Sequence, residues 1–383
     1  MKLIIDACTQ GSGGGKRHLI EVLAEFVKPE NKFTKIYIWA PRKLIDILPN
    51  DPIIIKNSPR MLNMGILASF FWQFFFRDRE FNKIDFGCIY SPYGNYIGKL
   101  KPYVTMSRNM LMFEEKERKK FGYSFSRVKL KLLYFVQTKS FLNSSGLIFL
   151  SNYAKNIISK KLNNNFKSSI IINHGVSSEF RKSPKTQNPI SKYSINNPFK
   201  LLYVSNILPY KYHLNVIESV NNLVSEGFPL KLILVGNIDS HQLGDKVKQL
   251  VNKINSQNKI VDWYQNISID KVKYYYHDSD CFIFASSCEN MPNILIEAMS
   301  SGLPIVCSSL GPMKEFLKDS GIYFNPMSSS EIKSSLKTII VDQNLRTKLT
   351  QKSYKLSLNY SWKKCSKNTI SYIIKNSLKI KNI

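Results

Sequence analysis

The sequence has 383 residues, 43% of them hydrophobic and 12% aromatic, enough apolar material for two buried cores, which excludes a chain dominated by disorder. Its 55 Lys and Arg against 27 Asp and Glu give a formal charge of +28. Nucleic acid, anionic lipid and phosphate-bearing substrates all answer to that charge, and the charge does not choose among them.

The chain begins Met1-Lys2-Leu3-Ile4-Ile5-Asp6, meeting an acidic residue and then glycines too early for a signal peptide, so it reads as a first strand. The six cysteines form no Cys-x-x-Cys pair, and several sit in apolar runs. They are expected as buried free thiols in a cytoplasmic protein, with no disulfide framework or zinc site. Gly11-Ser-Gly-Gly-Gly-Lys-Arg-His18 comes after the first strand and before a helix. Glycines there admit a close ligand and a helix start favours an anion, although the spacing is neither a dinucleotide fingerprint nor a Walker loop.

Strands are predicted at 3–7, 35–39, 52–56, 87–91, 103–107, 146–150 and 169–172 in the first half. In the second half they fall at 200–205, 230–236, 259–262, 281–285, 304–307 and 321–324. Runs apolar on both faces and separated by helices argue for parallel sheets covered on both sides, hence two doubly wound domains.

Between the strands, the apolar stretch 61–76 is short of the about 20 residues a membrane span needs and contains Asn63 and Gln73. It reads as a buried or half-buried helix, with a monotopic membrane contact as the alternative. Ser107-Arg-Asn-Met-Leu111 leaves a strand at its carboxyl edge. The segment 116–139 is dense in Lys and Arg and, as a helix, is expected to separate basic from apolar residues, for an anionic membrane or merely as a solvated face. The Ser-, Pro-, Asn- and Lys-rich stretch after Asn173 lacks helical periodicity. Domains are therefore expected at 1–173 and 199–360, with 174–198 as linker and 361–383 as a terminal helix.

The densest chemistry lies in FIFASSCENMPNILIEAMSSGLPIVCSS, 282–309. A strand runs into a polar loop, and a helix starts near Pro292 with Asn290 as its cap and Gly302 as its stop. Amides of Asn290, Met291 and Asn293 are expected at the carboxyl edge of the sheet, where open α/β sheets bind ligands and helix starts attract phosphate. Glu289 and Glu297 bracket this start eight residues apart, too loosely tied to make the carboxylate pair of a glycosidase. Asp278-Ser-Asp280 enters a strand at its amino end, and no metal-ligand cluster is visible.

The Glu-x7-Glu spacing, with Pro-Asn inside it and Glu-Ala-Met-x-x-Gly-x-Pro-Ile-Val after it, resembles the donor motif of the retaining glycosyltransferase family 4, over nearly the whole chain. The resemblance implies the GT-B architecture, two Rossmann-like domains facing across a cleft, the first for the acceptor and the second for a nucleotide-sugar donor. Carried over, Glu289 faces the transferred sugar, Glu297 binds the ribose, and the loop Asn290, Met291, Pro292, Asn293 meets the diphosphate. LLYVSNILPYKYHLNVIES, 201–219, is similar to the family's phosphate-holding segment. It puts Ser205, Asn206 and Lys211 in the donor site, with Asn206 where the family usually has Arg. Gly14 and Gly15 take the place of the loop that closes over the diphosphate, and 361–383 that of the helix crossing back to the first domain. At Ser107-Arg-Asn-Met-Leu111 the family often has a His near its acceptor, so the resemblance makes Arg108 and Asn109 acceptor-side candidates, with Asn109 in place of that His.

The form of 201–219 resembles bacterial lipopolysaccharide and capsule transferases. The likeness implies metal-independent, retaining, hexosyltransferase-type transfer from a nucleotide diphosphate-sugar, with no other cofactor. The acceptor is expected to be a glycan or polyprenyl-diphosphate-linked, and the protein peripheral on the inner face of the plasma membrane through 116–139 and Phe70 to Phe76. Rivals are a sugar-nucleotide epimerase of the same fold and a basic nucleic-acid-binding protein, for which the chain offers neither ring-proton acid/base residues nor a binding module. Sugar, base and linkage are not encoded legibly; Trp263 and Tyr264 are candidates for base contact.

Overall fold

The computed structural model describes residues 1–9 and 13–378. The chain forms two units, one of Met1–Arg118, Tyr123–Gly175 and the stretch from Ser361, the other of Lys119–Gly122 and Val176–Tyr360.

The first unit carries β1 (Lys2–Asp6), β2 (Lys35–Trp39), β3 (Ile54–Asn57), β4 (Cys88–Ser91), β5 (Tyr103–Met106), β6 (Gly146–Phe149) and β7 (Ser169–Ile171). They form one parallel sheet in the order β3-β2-β1-β4-β5-β6-β7. The central strand pairs Leu3 with Ile36 on one side and with Cys88 on the other. The second unit carries β8 (Phe199–Val204), β9 (Leu230–Val235), β10 (Val261–Tyr264), β11 (Cys281–Phe284), β12 (Ile305–Ser308) and β13 (Ile322–Phe324), ordered β10-β9-β8-β11-β12-β13. Leu201 pairs with Leu232 and with Cys281. In each sheet the strand order reverses beside the central strand, β1/β4 and β8/β11, which is where a doubly wound sheet opens a crevice at its carboxyl edge.

Every expected strand is present, because runs such as Cys-Phe-Ile-Phe in β11 are buried on both faces as a helix-covered parallel sheet requires. The expected 259–262 strand is displaced to β10 because Lys259 sits in the left-handed conformation (φ 47°) that ends the helix His241–Asn258. All six cysteines are buried free thiols.

In the first unit, the apolar stretch 61–76 takes the half-buried form of the two expected and is not fully buried. Ile66–Phe75 is helical, but only Trp72 of it is buried, in the cluster around Trp39, Phe81 and Tyr96. Leu67 is 86% exposed and Phe74 63%, so one stripe reaches the core and the rest of a mostly apolar helix is left facing outward. The basic segment is not one helix either. It breaks into Glu115–Lys119 and Phe125–Asn143 around Gly122, whose φ of 58° glycine adopts readily. Its apolar residues Phe125, Val128, Leu132 and Phe135 do not turn away from the basic ones but lie exposed with Lys129 and Lys131. The stretch 176–198, expected as linker, groups with the second unit: Phe180 is buried, Gln343 Nε2 donates to Gln187 O (2.6 Å), and buried Arg346 donates to Asn188 O.

The terminal helix Trp362–Leu378 belongs to the first unit, packed along the helix Gly13–Phe26, with Ser366 Oγ donating to Glu21 O (3.3 Å).

Candidate functional site

The site in the second unit is assembled by the loops leaving β8 and β11, the two strands at its switch point. After β8, a short 3-10 turn Pro209–Lys211 delivers Lys211, and Tyr203 OH donates to the Lys211 carbonyl (2.5 Å) to fix it. After β11, Ser286 Oγ donates to Glu289 Oε1 (2.8 Å). Lys211 Nζ and Glu289 Oε1 then form an ion pair with side chains 7% and 18% exposed. The Lys211 ammonium also lies 5.0 Å from the Phe284 ring centroid and 5.2 Å from that of Tyr210. Ser287 N–H donates to Tyr210 O (3.0 Å), so the two loops are joined through backbone as well.

Glu297 lies in the helix Asn293–Ser300, where Tyr276 OH, fully buried, reaches Glu297 Oε2 (3.1 Å) and Ile294 O (3.2 Å). Burial, and then the Glu297 charge, push the Tyr276 hydroxyl well above its usual pKa, so it acts as a neutral donor that orients the carboxylate. Gly302 ends this helix with φ 64°, its N–H bonding Met299 O while Leu303 N–H bonds Ala298 O, the paired pattern of a left-handed stop.

The helix start differs from the expected one. Pro292, not Asn290, is the cap, and no side chain caps it. Asn290 and Met291 are buried, and the Asn293 N–H does not point outward but donates to Met291 O (3.0 Å). The reason is the proline: with no N–H of its own it lets the loop turn tightly over the first helical residue.

Ser205 is buried; its carbonyl accepts from His213 Nε2–H (3.3 Å), and the His213 ring stacks on Tyr203 at 4.7 Å. Burial, then Lys211, push His213 down to about 3, so it is neutral and serves to brace the loop. Asn206 is exposed and engaged at the rim: Nδ2 donates to Asp239 Oδ2 (2.8 Å) and Oδ1 accepts from Asn237 N–H (3.0 Å). Its amide acts as a loop clamp, where the family's usual arginine would bring a charge. Trp263 is likewise committed, Nε1–H to Gly236 O (2.9 Å), whereas Tyr264 is 39% exposed.

Of the first-unit candidates, Gly14 and Gly15 lie inside the helix Gly13–Phe26, and residues 10–12 of the glycine-rich turn fall outside the described residues. A Cβ on Gly15 would meet Tyr93 Cε1 at 2.8 Å, which makes this a close approach between helix and strand loop. Asn109 is exposed and builds a turn by accepting from Leu111 N–H (2.9 Å). Arg108 sits with its guanidinium carbon 5.9 Å from the Tyr93 ring, its pKa lowered by burial. His174 is buried against His18 (4.9 Å) and Trp362 (5.3 Å). His18 Nε2 meets Tyr90 OH (2.8 Å), and burial, with Arg108 and His174 beside it, holds His18 neutral. Asp280 is spent on structure, accepting from Lys185 Nζ, Tyr193 OH and Lys200 N–H. Among the described residues no group of three His, Cys, Asp or Glu is placed to hold a metal.

Sequence reasoning missed Tyr203, His213, Ser286 and Tyr276, all of which hold the site from behind. The repeated polar-aromatic spelling around PYKYH and SSCE was the available signal, but nothing local says which hydroxyl faces which loop.

Residues 185–356 match the family model described as Glycosyl transferases group 1. Among curated proteins, the chain is 25% identical to the O-antigen chain mannosyltransferase B of Escherichia coli over 62% of its length and 59% of that protein's. It is 27% identical to the lipopolysaccharide 1,2-N-acetylglucosaminetransferase of Salmonella typhimurium over 42% of the chain and 44% of that protein. An uncharacterized glycosyltransferase of Methanocaldococcus jannaschii is 37% identical over 22% of the chain and 19% of its own length. The chain thus spans between a fifth and three fifths of these relatives. Among solved structures, Anabaena HepE in complex with UDP and glucose shares the fold with a TM-score of 0.69 at 14% identity, covering 97% of this chain and 98% of that one. WaaG, a glycosyltransferase involved in lipopolysaccharide biosynthesis, does so with a TM-score of 0.68 at 13% identity, over 97% and 99%. The fold is GT-B.

Proposed function

We propose, from the match of residues 185–356 to the Glycosyl transferases group 1 family model, that this protein moves a sugar from a nucleotide diphosphate-sugar to a glycan or polyprenyl-diphosphate-linked acceptor. Transfer retains anomeric configuration, needs no metal ion, and serves the synthesis of a bacterial surface polysaccharide. The observation that carries this reading is the Lys211–Glu289 ion pair at the β8/β11 switch point, with Glu297 one helix turn beyond. The relatives named for O-antigen and lipopolysaccharide transfer support the acceptor class.

In this mechanism the bond between the anomeric carbon and the diphosphate oxygen breaks while the acceptor oxygen bonds that carbon from the same face. The acceptor's proton passes to the departing diphosphate. Lys211 turns from Glu289 to the phosphate oxygens, where its ammonium stabilises the charge that develops. Glu289, released, accepts hydrogen bonds from the sugar hydroxyls, and Glu297, oriented by Tyr276, accepts those of the ribose. HepE was solved with UDP, which makes UDP the first nucleotide to try, with GDP and dTDP beside it.

The test is a thermal-shift screen with these nucleotides, then NMR of the product from the matching sugar nucleotide in excess EDTA. The expected product keeps the donor's configuration and forms at an unchanged rate. Inversion at the anomeric carbon, or loss of transfer that a divalent ion restores, breaks the corresponding part.

The same reading includes peripheral attachment to anionic lipid on the inner face of the plasma membrane. No helix among the described residues is long and apolar enough to cross a membrane. The support is the exposed aromatic helix Ile66–Phe75 together with the exposed apolar and basic side chains of Phe125–Asn143. Flotation with phosphatidylglycerol vesicles is expected to carry the protein up, and neutral vesicles are not; equal behaviour with both removes the lipid-charge part.

A further inference from the structure

We propose that Lys120 is a second cation of the donor site, holding the donor's diphosphate together with Lys211; this rests on the donor-site reading given above. Lys119–Gly122 is the one stretch from before residue 176 that groups with the second unit. Lys120 Nζ donates to Tyr212 OH (2.6 Å) and to Ser287 Oγ (3.1 Å), and it lies 4.9 Å from the Tyr212 ring centroid. The ring of the next residue, Phe121, lies 6.3 Å from that of Tyr210.

These contacts fall on both loops that make the candidate site. Tyr212 adjoins Lys211, and Ser287 adjoins Ser286, the hydroxyl that holds Glu289. Both acceptors are hydroxyls, and together they hold the Lys120 ammonium where the two loops meet. Tyr212 itself has φ 44° and ψ 39°, a left-handed conformation rare for a tyrosine and maintained only where surrounding contacts over-determine it. The Lys120 hydrogen bond on its hydroxyl is one such contact, so the strained turn that delivers Lys211 and the ammonium of Lys120 are set by the same residue.

The charge arithmetic points the same way. A nucleoside diphosphate brings more than one negative charge, and Lys211 in the protein alone is matched by Glu289. The other polar residue on the β8 loop, Asn206, is uncharged and clamped to Asp239 and Asn237. Lys120 supplies the second positive charge.

A diphosphate could also arrive on a polyprenyl acceptor, and titration calorimetry on the whole protein separates the sources. With UDP or GDP, whichever the wild type binds, Lys120→Ala is expected to weaken binding roughly tenfold or more, while the matching nucleoside binds as before. Lys120→Arg keeps most of the affinity. If Lys120→Ala binds the nucleotide normally while Lys211→Ala does not, the proposal is overturned and the donor site stands; a raised KM for the lipid-linked acceptor in that variant assigns Lys120 to the acceptor instead. If nucleoside and nucleotide weaken equally, or if Lys120→Arg fails like Lys120→Ala at an unchanged Tm, the residue only ties loops together. No binding of any nucleoside diphosphate by the wild type removes the donor-site reading itself.

Discussion

In the first unit, at the end of the central strand β1, Asp6 pairs with Arg77 at 3.2 Å, and the two side chains are 5% and 1% exposed. In the second unit, at the end of β8 and β11, Lys211 pairs with Glu289, with side chains 7% and 18% exposed. The first pair is sealed: the Arg77 guanidinium carbon lies 4.3 Å from the Tyr96 ring centroid, Asp78 Oδ1 lies 3.6 Å from Arg77 Nε, and Cys8 N–H donates to Asp6 (3.3 Å). The second pair has hydroxyls around it and a partly exposed carboxylate at a loop. Two ion pairs at corresponding edges therefore have different uses. One can only be kept, whereas the other can be opened by an anion that competes for the ammonium.

Aromatic surface divides in the reverse sense. The first unit leaves Phe70, Phe71, Phe74, Phe75, Phe125 and Phe135 exposed on two helices, while in the second unit the exposed large apolar residues are scattered singly, such as Ile195, Met327 and Leu358. Scattered residues need no explanation, whereas the rings of Phe70 and Phe74, Phe71 and Phe75, and Phe74 and Phe75 lie 6.3, 4.4 and 5.0 Å apart on one exposed helix, a patch of the kind that calls for one.

The largest effect that separates the two ion pairs is on stability. Arg77→Ala leaves Asp6 buried without its counter-charge and is expected to cost about 3–5 kcal/mol, read by urea unfolding. Lys211→Ala also strands a carboxylate, but one that reaches solvent, and is expected to cost well under half of that. Equal losses erase the distinction. Next comes the effect on rate: Lys211→Ala and Glu289→Gln are each expected to lower turnover by two to three orders of magnitude, about 2.7–4 kcal/mol, at a nearly unchanged Tm. Near-normal rates in both variants remove these residues from the chemistry.

The same division governs how much of the molecule is legible in the sequence. Strand positions can be read because a two-face-buried parallel strand writes a continuous apolar run, and β10 is displaced by two residues because Lys259 in a left-handed cap is invisible to periodicity. Lys211, Glu289 and Glu297 can be read because they sit at fixed spacings on the strand-loop-helix units that the structure brings to one edge. The capping of the helix Asn293–Ser300 cannot, since Pro292 and the inward-turned Asn293 amide depend on loop geometry. Lys120 is hidden for a different reason: it is one of 55 basic residues, and its hydrogen-bond partners lie 92 and 167 residues away. The aromatic helix reads as buried or half-buried and is the second, because a mostly apolar run does not say which of its faces has something to pack against.

That helix provides the smallest of the separating effects. Phe74 is 63% exposed and its ring lies 5.0 Å from that of Phe75, so it belongs to the outward cluster and not to the core that Trp72 enters. Substituting it removes no core contact. Phe74→Ser is therefore expected to leave urea stability and turnover on a soluble acceptor unchanged. Burying the exposed part of one phenylalanine in a membrane interface is worth about 1–2 kcal/mol, so vesicle binding is expected to fall on the order of tenfold. A charge substitution such as Lys129→Gln acts through a different term and weakens binding only at low salt, since an exposed lysine attracts an anionic surface within a Debye length of roughly 8–10 Å. If Phe74→Ser unfolds the protein while leaving vesicle binding intact, the aromatic face is part of the fold and the reversal between the two units disappears.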